Sequence, residues 1–257
     1  MPHGESWFSF LPFLEPLSHW MSEAFGPSYM EHNSHLGVQH VLAYGTVVFF
    51  LLLVGLYVSR KLKNPSDHIL PEGKVSFYGF IEMIVGATYK LSADLMGPKP
   101  AKYFLPLIGT CAFVILLSNF LGLVPGFTPP TDSLNTTVAM SLVIFFATHI
   151  FGIKENGLAY LKHFLGPVLF LAPLFLVIEL ISNLARPLSL SIRLMANMFA
   201  DHQVLSQVSG LVKWVVPVAP MMLGSLVCIV QTLVFCILST VYIAMAVAHH
   251  EHEEAHH

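Results

Sequence analysis

The sequence predicts an all-α polytopic membrane protein, with about five membrane helices plus an in-plane amphipathic helix, the last two membrane helices being long and strongly tilted. Three observations predict it. Hydrophobic residues make up 55% of the 257-residue chain and charged residues only 11%, whereas a soluble domain carries about 25% charged residues. Mean hydropathy is +0.69. Apolar runs long enough to cross a hydrocarbon core, which takes about 20 helical residues, recur along the chain. The formal net charge of −3 gives no footing for nucleic acid.

The elements follow in order. Residues 1–36 form an external N-terminal segment that is polar, aromatic and acidic, and "SWFSFLPFLEPLSHW" suits a membrane surface. The first thirty residues hold no Lys or Arg. A cleaved secretory signal begins with basic residues, so none is expected to be removed. Residues 37–248 read as a single membrane domain. Its first span is 38–59, followed at once by the basic loop "RKLKNPSDHILPEGK" with Pro65 and Pro71. Residues 75–97 are apolar but hold Glu82, Lys90 and Asp94. Three charges argue against a simple span and for an amphipathic helix lying in the plane or tilted.

The second span, 103–124, ends at "GLVPGFTPPTD", whose Pro and Gly residues force a loop. The third, 134–153, is closed by "KENG", so the two form a helical hairpin. The stretches 164–212 and 215–248 both exceed the length needed to cross a bilayer, and excess length demands tilt, a bend or a run along the plane. Pro187, Pro217 and Pro220 are placed for bends. No internal repeat is visible. Residues 249–257 form a His/Glu-rich cytoplasmic tail.

Basic residues set the orientation. Arg60, Lys61, Lys63, Lys74, Lys99 and Lys102 fall between the first and second spans, and Lys154 and Lys162 after the third. The N-terminal segment and the 125–133 loop hold none. These basic-free regions are expected outside and the C-terminus inside, with Lys213 the single outward exception. Cys111, Cys228 and Cys236 all lie in apolar runs and read as packed thiols rather than a disulfide framework.

The chemistry concentrates in "PLSLSIRLMANMFADHQ", residues 187–203, inside an otherwise apolar stretch. A helix turns by about 100° per residue. With Arg193 as zero, Glu179, Ser182, Arg186, Ser189 and Asn197 fall within roughly 40° of it, and Asp201 near 80°. This predicts one continuous polar stripe about 30 Å long. His202 points to the far side of an ideal helix, unless a bend brings it round. Intramembrane ionisable residues line an ion path or face a buried partner. For Arg186 two readings stand: a scaffold pair with Glu179, or a member of the path. On the last stretch, Gln231 in "CIVQTLVF" shares a face with Gly224 and Tyr242 and is placed to hydrogen-bond the Arg193 guanidinium. Ordinary interhelical glue is compatible with the same contact.

"LSLSIRLMANMFADH", followed by "VQTLVFCILSTVYIAMA", resembles subunit a of the membrane sector of F-type ATP synthases. "LLSNFLGLVPG" and "LNTTVAMSLVIFF" resemble that family's preceding hairpin. The likeness covers roughly residues 70–248; the N-terminal extension and the tail lie outside it, and the long N-terminal region looks bacterial. The resemblance implies an ion-translocating stator subunit in the bacterial inner membrane, with two half-channels beside a rotor. Arg193 matches the arginine that faces a ring of hairpin c subunits, each with one membrane carboxyl group. That arginine forces each ring carboxyl to release its ion and prevents a leak. Asn197 and Gln231 match its polar neighbours, and Glu179 its acidic residue earlier on the same helix. His202 sits where the family often has Glu or His in the outer half-channel. The matching position on the last helix often holds His or Glu and here is Gly224, a departure for which Asp201 or water beside the glycine compensates. Ser182 and Asp201 join the ion-pathway candidates. The implied partners are the c ring, the peripheral stalk subunit b, membrane lipid and translocated H⁺, with Na⁺ compatible. No cofactor, metal or ATP site is expected on this chain.

Other signals are weaker. His252 to His256 fits H-E-x-x-H, but a zinc protease needs that motif on a buried helix with a third ligand, and a short tail provides neither. "EGK" at 72–74 is no phosphate loop. Asn135-Thr136-Thr137 fits a glycosylation sequon at the start of a membrane helix, and His149 and His163 read as packing or interface residues. The main rival function is a secondary transporter using Arg193 for an anionic substrate, though such transporters often show duplicated halves. A membrane-embedded enzyme would need converging ligands or a nucleophile.

Overall fold

In the computed structural model the described residues are 34–61, 77–124, 127–165, 172–211 and 218–247, together with Pro16. They form helices α1 (Ser34–Lys61), α2 (Phe77–Met96), α3 (Pro98–Leu121), α4 (Leu134–Leu165), α5 (Ala172–Leu211) and α6 (Val218–Val247), with a 3-10 turn at Pro130–Asp132. Five of the helices are long and apolar enough to cross a membrane; the exception is α2. The basic loop after Lys61, the His/Glu tail and nearly all of the 1–36 segment lie outside the described residues, and with them the H-E-x-x-H match and Lys213.

Each boundary has a local cause. Helix α1 ends on Arg60 and Lys61, whose charges complement the negative end of the helix dipole. Helix α2 stops at Gly97, which adopts φ 84° and bonds back to the Ala93 carbonyl at 3.0 Å. Only glycine takes that conformation without strain. Pro98 then opens α3 at the position where a missing N–H costs nothing. In α2, Glu82, Lys90 and Asp94 are exposed, while Thr88 and Ser92 on the opposite side are buried. The hydroxyls of Ser92 and Thr240 lie 3.5 Å apart, linking α2 to α6. Helix α2 is therefore amphipathic, as its charges predict.

The third span differs from expectation at its end. "KENG" does not close the helix at 153: helical residues continue past Lys154 and Glu155, and the break falls on Gly157 at φ 54°, ψ −132°. The chain then doubles back, for Tyr160 ring atoms lie 2.7 Å from where a Cβ on Gly152 would stand. Exposed charges do not by themselves end a helix. The glycine does, because it alone tolerates that backbone. The apolar run beginning at Phe164 is accordingly shared, its first two residues ending α4 and α5 beginning at Ala172.

Helix α3 is central. Phe104, Ile108, Cys111, Ala112, Ile115, Ser118 and Asn119 bury one face at three- and four-residue spacing. Cys111, Val114 and Ile115 pack with Met140 and Ile144 of α4, Leu190 and Leu194 of α5, and Phe235 of α6. Phe104, Ile108 and Ala112 pack with Cys236 and Ile243 of α6. All three cysteines are buried free thiols. Helix α1 is peripheral, with Phe49, Leu52, Leu53 and Leu56 exposed; Tyr44 joins it to α4 through its hydroxyl, which donates to Met140 Sδ at 3.6 Å. The 40 residues of α5 measure about 60 Å at 1.5 Å per residue, and the 30 of α6 about 45 Å. Both exceed the ~30 Å hydrocarbon core, so tilt or bending is required of them.

Candidate functional site

The site is built on α5, whose polar residues separate into two sectors. Leu190, Ser191, Leu194 and Met198 are buried and mark the side packed against the bundle. Arg193 lies on the opposite side and is exposed, in a row with Ser189, Ala196 and Ala200, which are also exposed and small. Ser182 is exposed with them. Asp201 and His202 turn inward, so the stripe is not one continuous face. The 100° rule places residues on a cylinder, but the neighbours decide which sector is inside.

Gln231 does not hydrogen-bond Arg193. Asn197 Nδ2 donates instead to Gln231 Oε1 at 2.7 Å, bridging α5 and α6. Gln231 is buried, and its Nε2 has no hydrogen-bond partner among the described residues. Asn197 sits one turn beyond Arg193 at the border of the buried sector, so its amide reaches the glutamine while the guanidinium points out of the chain. Arg193 makes no hydrogen bond or ion pair with any described residue. The scaffold pair of Glu179 and Arg186 is likewise not formed. Asn183 Nδ2 donates to both Glu179 Oε1 and the Glu179 carbonyl at 3.0 Å. The Arg186 guanidinium lies over the Tyr242 ring, 5.5 Å from its centroid, a favourable position over the negative ring face.

Small cavities with both polar and apolar lining lie on either side of Arg193 along α5. The first, about 20 Å³, is lined by Thr148, His149, Asn183, Arg186 and Tyr242. The second, also about 20 Å³, is lined by Asn119, Leu123, Asp201, His202, Pro220 and Gly224. Each is large enough for about one water molecule. Residues 183–190 of α5 line the first and 198–205 the second, which leaves Arg193 between them.

The second cavity brings Asp201 and His202 together despite their divergence on the helix. Asp201 Oδ2 is buried without a hydrogen-bond partner among the described residues. It lies 3.9 Å from where a Cβ on Gly224 would stand, with Leu123 Cδ2 at 3.0 Å from the same point. Asn119 and Asp132 were not singled out by the sequence. Thr131 Oγ1 donates to Asn119 Oδ1 at 2.8 Å, and His202 Nδ1 lies 3.4 Å from Asp132 Oδ2. A lone carboxylate in a loop otherwise free of charge was the available signal for Asp132. His149, read as a packing residue, lines the first cavity and has Nδ1 2.9 Å from the Phe145 carbonyl. Ser182 lines neither cavity. Among the described residues no group of three His, Cys, Asp or Glu side chains is arranged to hold a metal.

Fold and site together define an α-helical membrane protein with ionisable groups ranked along one long helix and an outward-facing cation among them. The sequence profile of the family described as ATP synthase A chain matches residues 35–244. The chain is 44% identical over 232 residues to ATP synthase subunit a 2 of Syntrophotalea carbinolica, covering 90% of this chain and 93% of that one. It is 39% identical over 229 residues to ATP synthase subunit a of Sorangium cellulosum, covering 88% and 90%. It is 41% identical over 219 residues to ATP synthase subunit a of Bdellovibrio bacteriovorus, covering 85% and 92%. The chain belongs to the ATP synthase A chain family.

Proposed function

We propose that this chain, as the proton-translocating stator subunit of an F-type ATP synthase, carries protons through the two cavities flanking Arg193 to and from carboxyl groups on a rotor ring. One observation carries the reading: an exposed guanidinium, unpaired among the described residues, stands between two small cavities on one helix, each with polar side chains in its lining. The basic-residue distribution puts the 125–133 loop outside. The cavity holding Asp201, His202 and Asn119 is then the outer path, and the one holding Asn183 and Arg186, near Glu179, the inner path. The same distribution favours the N-terminus outside and the C-terminus inside, and the bacterial relatives favour the bacterial inner membrane.

Arginine keeps its proton under all ordinary conditions. A fixed positive charge within about 4–6 Å lowers a carboxyl pKa by perhaps 1–3 units. A ring carboxylate arriving at Arg193 therefore releases its proton and reloads only after moving past. The same charge repels cations and blocks a direct leak between the paths. Ser189, Ala196 and Ala200 beside it are small enough for a ring helix to approach closely. Asn197 and Gln231 fix the α5–α6 packing one turn away. Asp201, reaching over Gly224, supplies from α5 the acid group that the last helix lacks. Glu179, held by Asn183, marks the inner path, and Ser182 wets the outer surface of α5 near it. Subunit b and lipid cover the remaining apolar surface, and α2 lies in the membrane plane on the inner side. The chain binds no ATP and is not itself catalytic.

The test is Arg193→Ala in the complete complex reconstituted in vesicles. Gradient-driven ATP synthesis is expected to vanish while the complex still assembles. Coupled synthesis at the wild-type rate overturns the reading. A transporter holding an anion on Arg193 would instead act without a ring. Family membership favours the stator.

A further inference from the structure

We propose that Asp132 is a positioning residue of the outer path, holding His202 by Nδ1 so that Nε2 of the same ring becomes the proton-carrying nitrogen beside Asp201. The inference rests on the proton-path reading above. It starts from how Asp132 is placed. Gly122 ends α3, and a Cβ there would stand 2.7 Å from Pro129 Cβ and 2.8 Å from Pro129 Cγ. Only a hydrogen at that position lets the loop lie so close. The Asp132 N–H bonds the Pro129 carbonyl at 3.1 Å, closing the 3-10 turn. Thr131, 2% exposed, ties the turn to Asn119 of α3. The loop thus delivers one carboxylate to α5 from a built support.

The carboxylate faces His202 Nδ1 at 3.4 Å, with the Asp132 side chain 14% exposed and that of His202 31% exposed. Asp132 Oδ1 is buried without a hydrogen-bond partner among the described residues. An ionised carboxylate only accepts, so Nδ1 carries the hydrogen and donates it. The bond that one ring nitrogen makes sets the role of the other, and Nε2 is left with its lone pair. A proton arriving from outside binds Nε2 and forms the imidazolium. Nε2 then passes that proton to the Asp201 carboxylate, directly or through one water, and the ring returns to its starting tautomer with Nδ1–H unchanged. Charge-assisted bonds are shorter than neutral ones, so the Asp132 contact tightens while the ring is cationic.

Several other groups surround the ring. Among the described residues, α3 contributes uncharged Asn119, α6 contributes Pro220 and Gly224, and α5 contributes Asp201. Cys228 of α6 interacts with Asp201. Arg193 stands nine residues away along α5. Asp132 is thus the carboxylate that comes to His202 from outside its own helix.

The test measures ATP synthesis by the reconstituted complex against external pH at a fixed inner pH. The Asp132 carboxylate orients the ring through Nδ1, so its removal is expected to change how proton delivery depends on external pH. Asp132→Asn is expected to displace the external midpoint. Asp132→Glu, which keeps the charge, is expected to stay nearer to wild type. Added to His202→Gln, Asp132→Asn is expected to cause no further displacement. An unchanged midpoint in Asp132→Asn overturns the proposal, whatever the maximal rate. So does an equal displacement by Glu and Asn, or an additive displacement in the His202→Gln background. Asp132→Ser gives the same reading should the Asn variant fail to assemble. Coupled synthesis by Arg193→Ala sinks the proton-path reading itself, whereas loss there with an unmoved Asp132→Asn midpoint sinks only this inference.

Discussion

Asn197 of α5 donates a hydrogen bond to Gln231 of α6 across 2.7 Å. The contact sits one helical turn from Arg193 and fixes how α5 and α6 meet. Gln231→Leu would leave the Asn197 donor without its partner, at a cost of about 1–3 kcal/mol. Changing both residues to Leu is expected to cost less than the two single losses added. Interhelical hydrogen bonds in membranes average about 0.6 kcal/mol by double-mutant cycles, with a maximum near 1.7. Thermal unfolding of the detergent-solubilised complex should return a coupling in that range. Strict additivity would show that the bond adds nothing to helix association.

Gly224 marks a place where the cavity of Asp201 and His202 leaves no room. A Cβ there meets Leu123 Cδ2 at 3.0 Å and Asp201 Oδ2 at 3.9 Å. Gly224→Ala presses only on the flexible end of a leucine and is expected to be nearly silent. Gly224→Leu puts three further carbons into a cavity of about 20 Å³, and overpacking of this kind costs about 1–3 kcal/mol. Synthesis should slow sharply for Leu and little for Ala. Equal rates in the two variants would remove the cavity from the path.

Gly122→Ala tests the support beneath Asp132. The added methyl would lie 2.7 Å from Pro129 Cβ, and a proline ring has no flexible end to yield. The loop must shift, at about 1–3 kcal/mol, carrying the Pro130–Asp132 turn away from α5. Lower thermal stability should appear together with a displaced external-pH midpoint, as for Asp132→Asn. A stable variant with a wild-type midpoint would show that the turn reaches α5 without the glycine.

The spans were legible because crossing a bilayer takes a long apolar run, and such runs announce themselves. Arg193 was legible for the converse reason: a permanent charge inside such a run needs a cause. Asn197 and Gln231 stood out by the same contrast, although the bond they form is with each other. The split of the α5 stripe was not legible, since periodicity orders residues around an axis without saying where neighbours stand. Asp132 was hidden more deeply. Its contact is with a residue 70 positions away, and it depends on a close approach at Gly122 that composition does not express. The break in α4 falls on Gly157, four residues beyond 153, because "KENG" holds both the charges that attract attention and the glycine that does the breaking.

Helix α5 runs about twice as far as the hydrocarbon is thick. Its two ends therefore stand apart sideways as well as in depth, and openings placed along it are staggered rather than stacked. A particle going in at one opening finds no vertical shaft to the other. It has to be ferried across the gap by something that turns, and that sideways trip is where a gradient becomes torque.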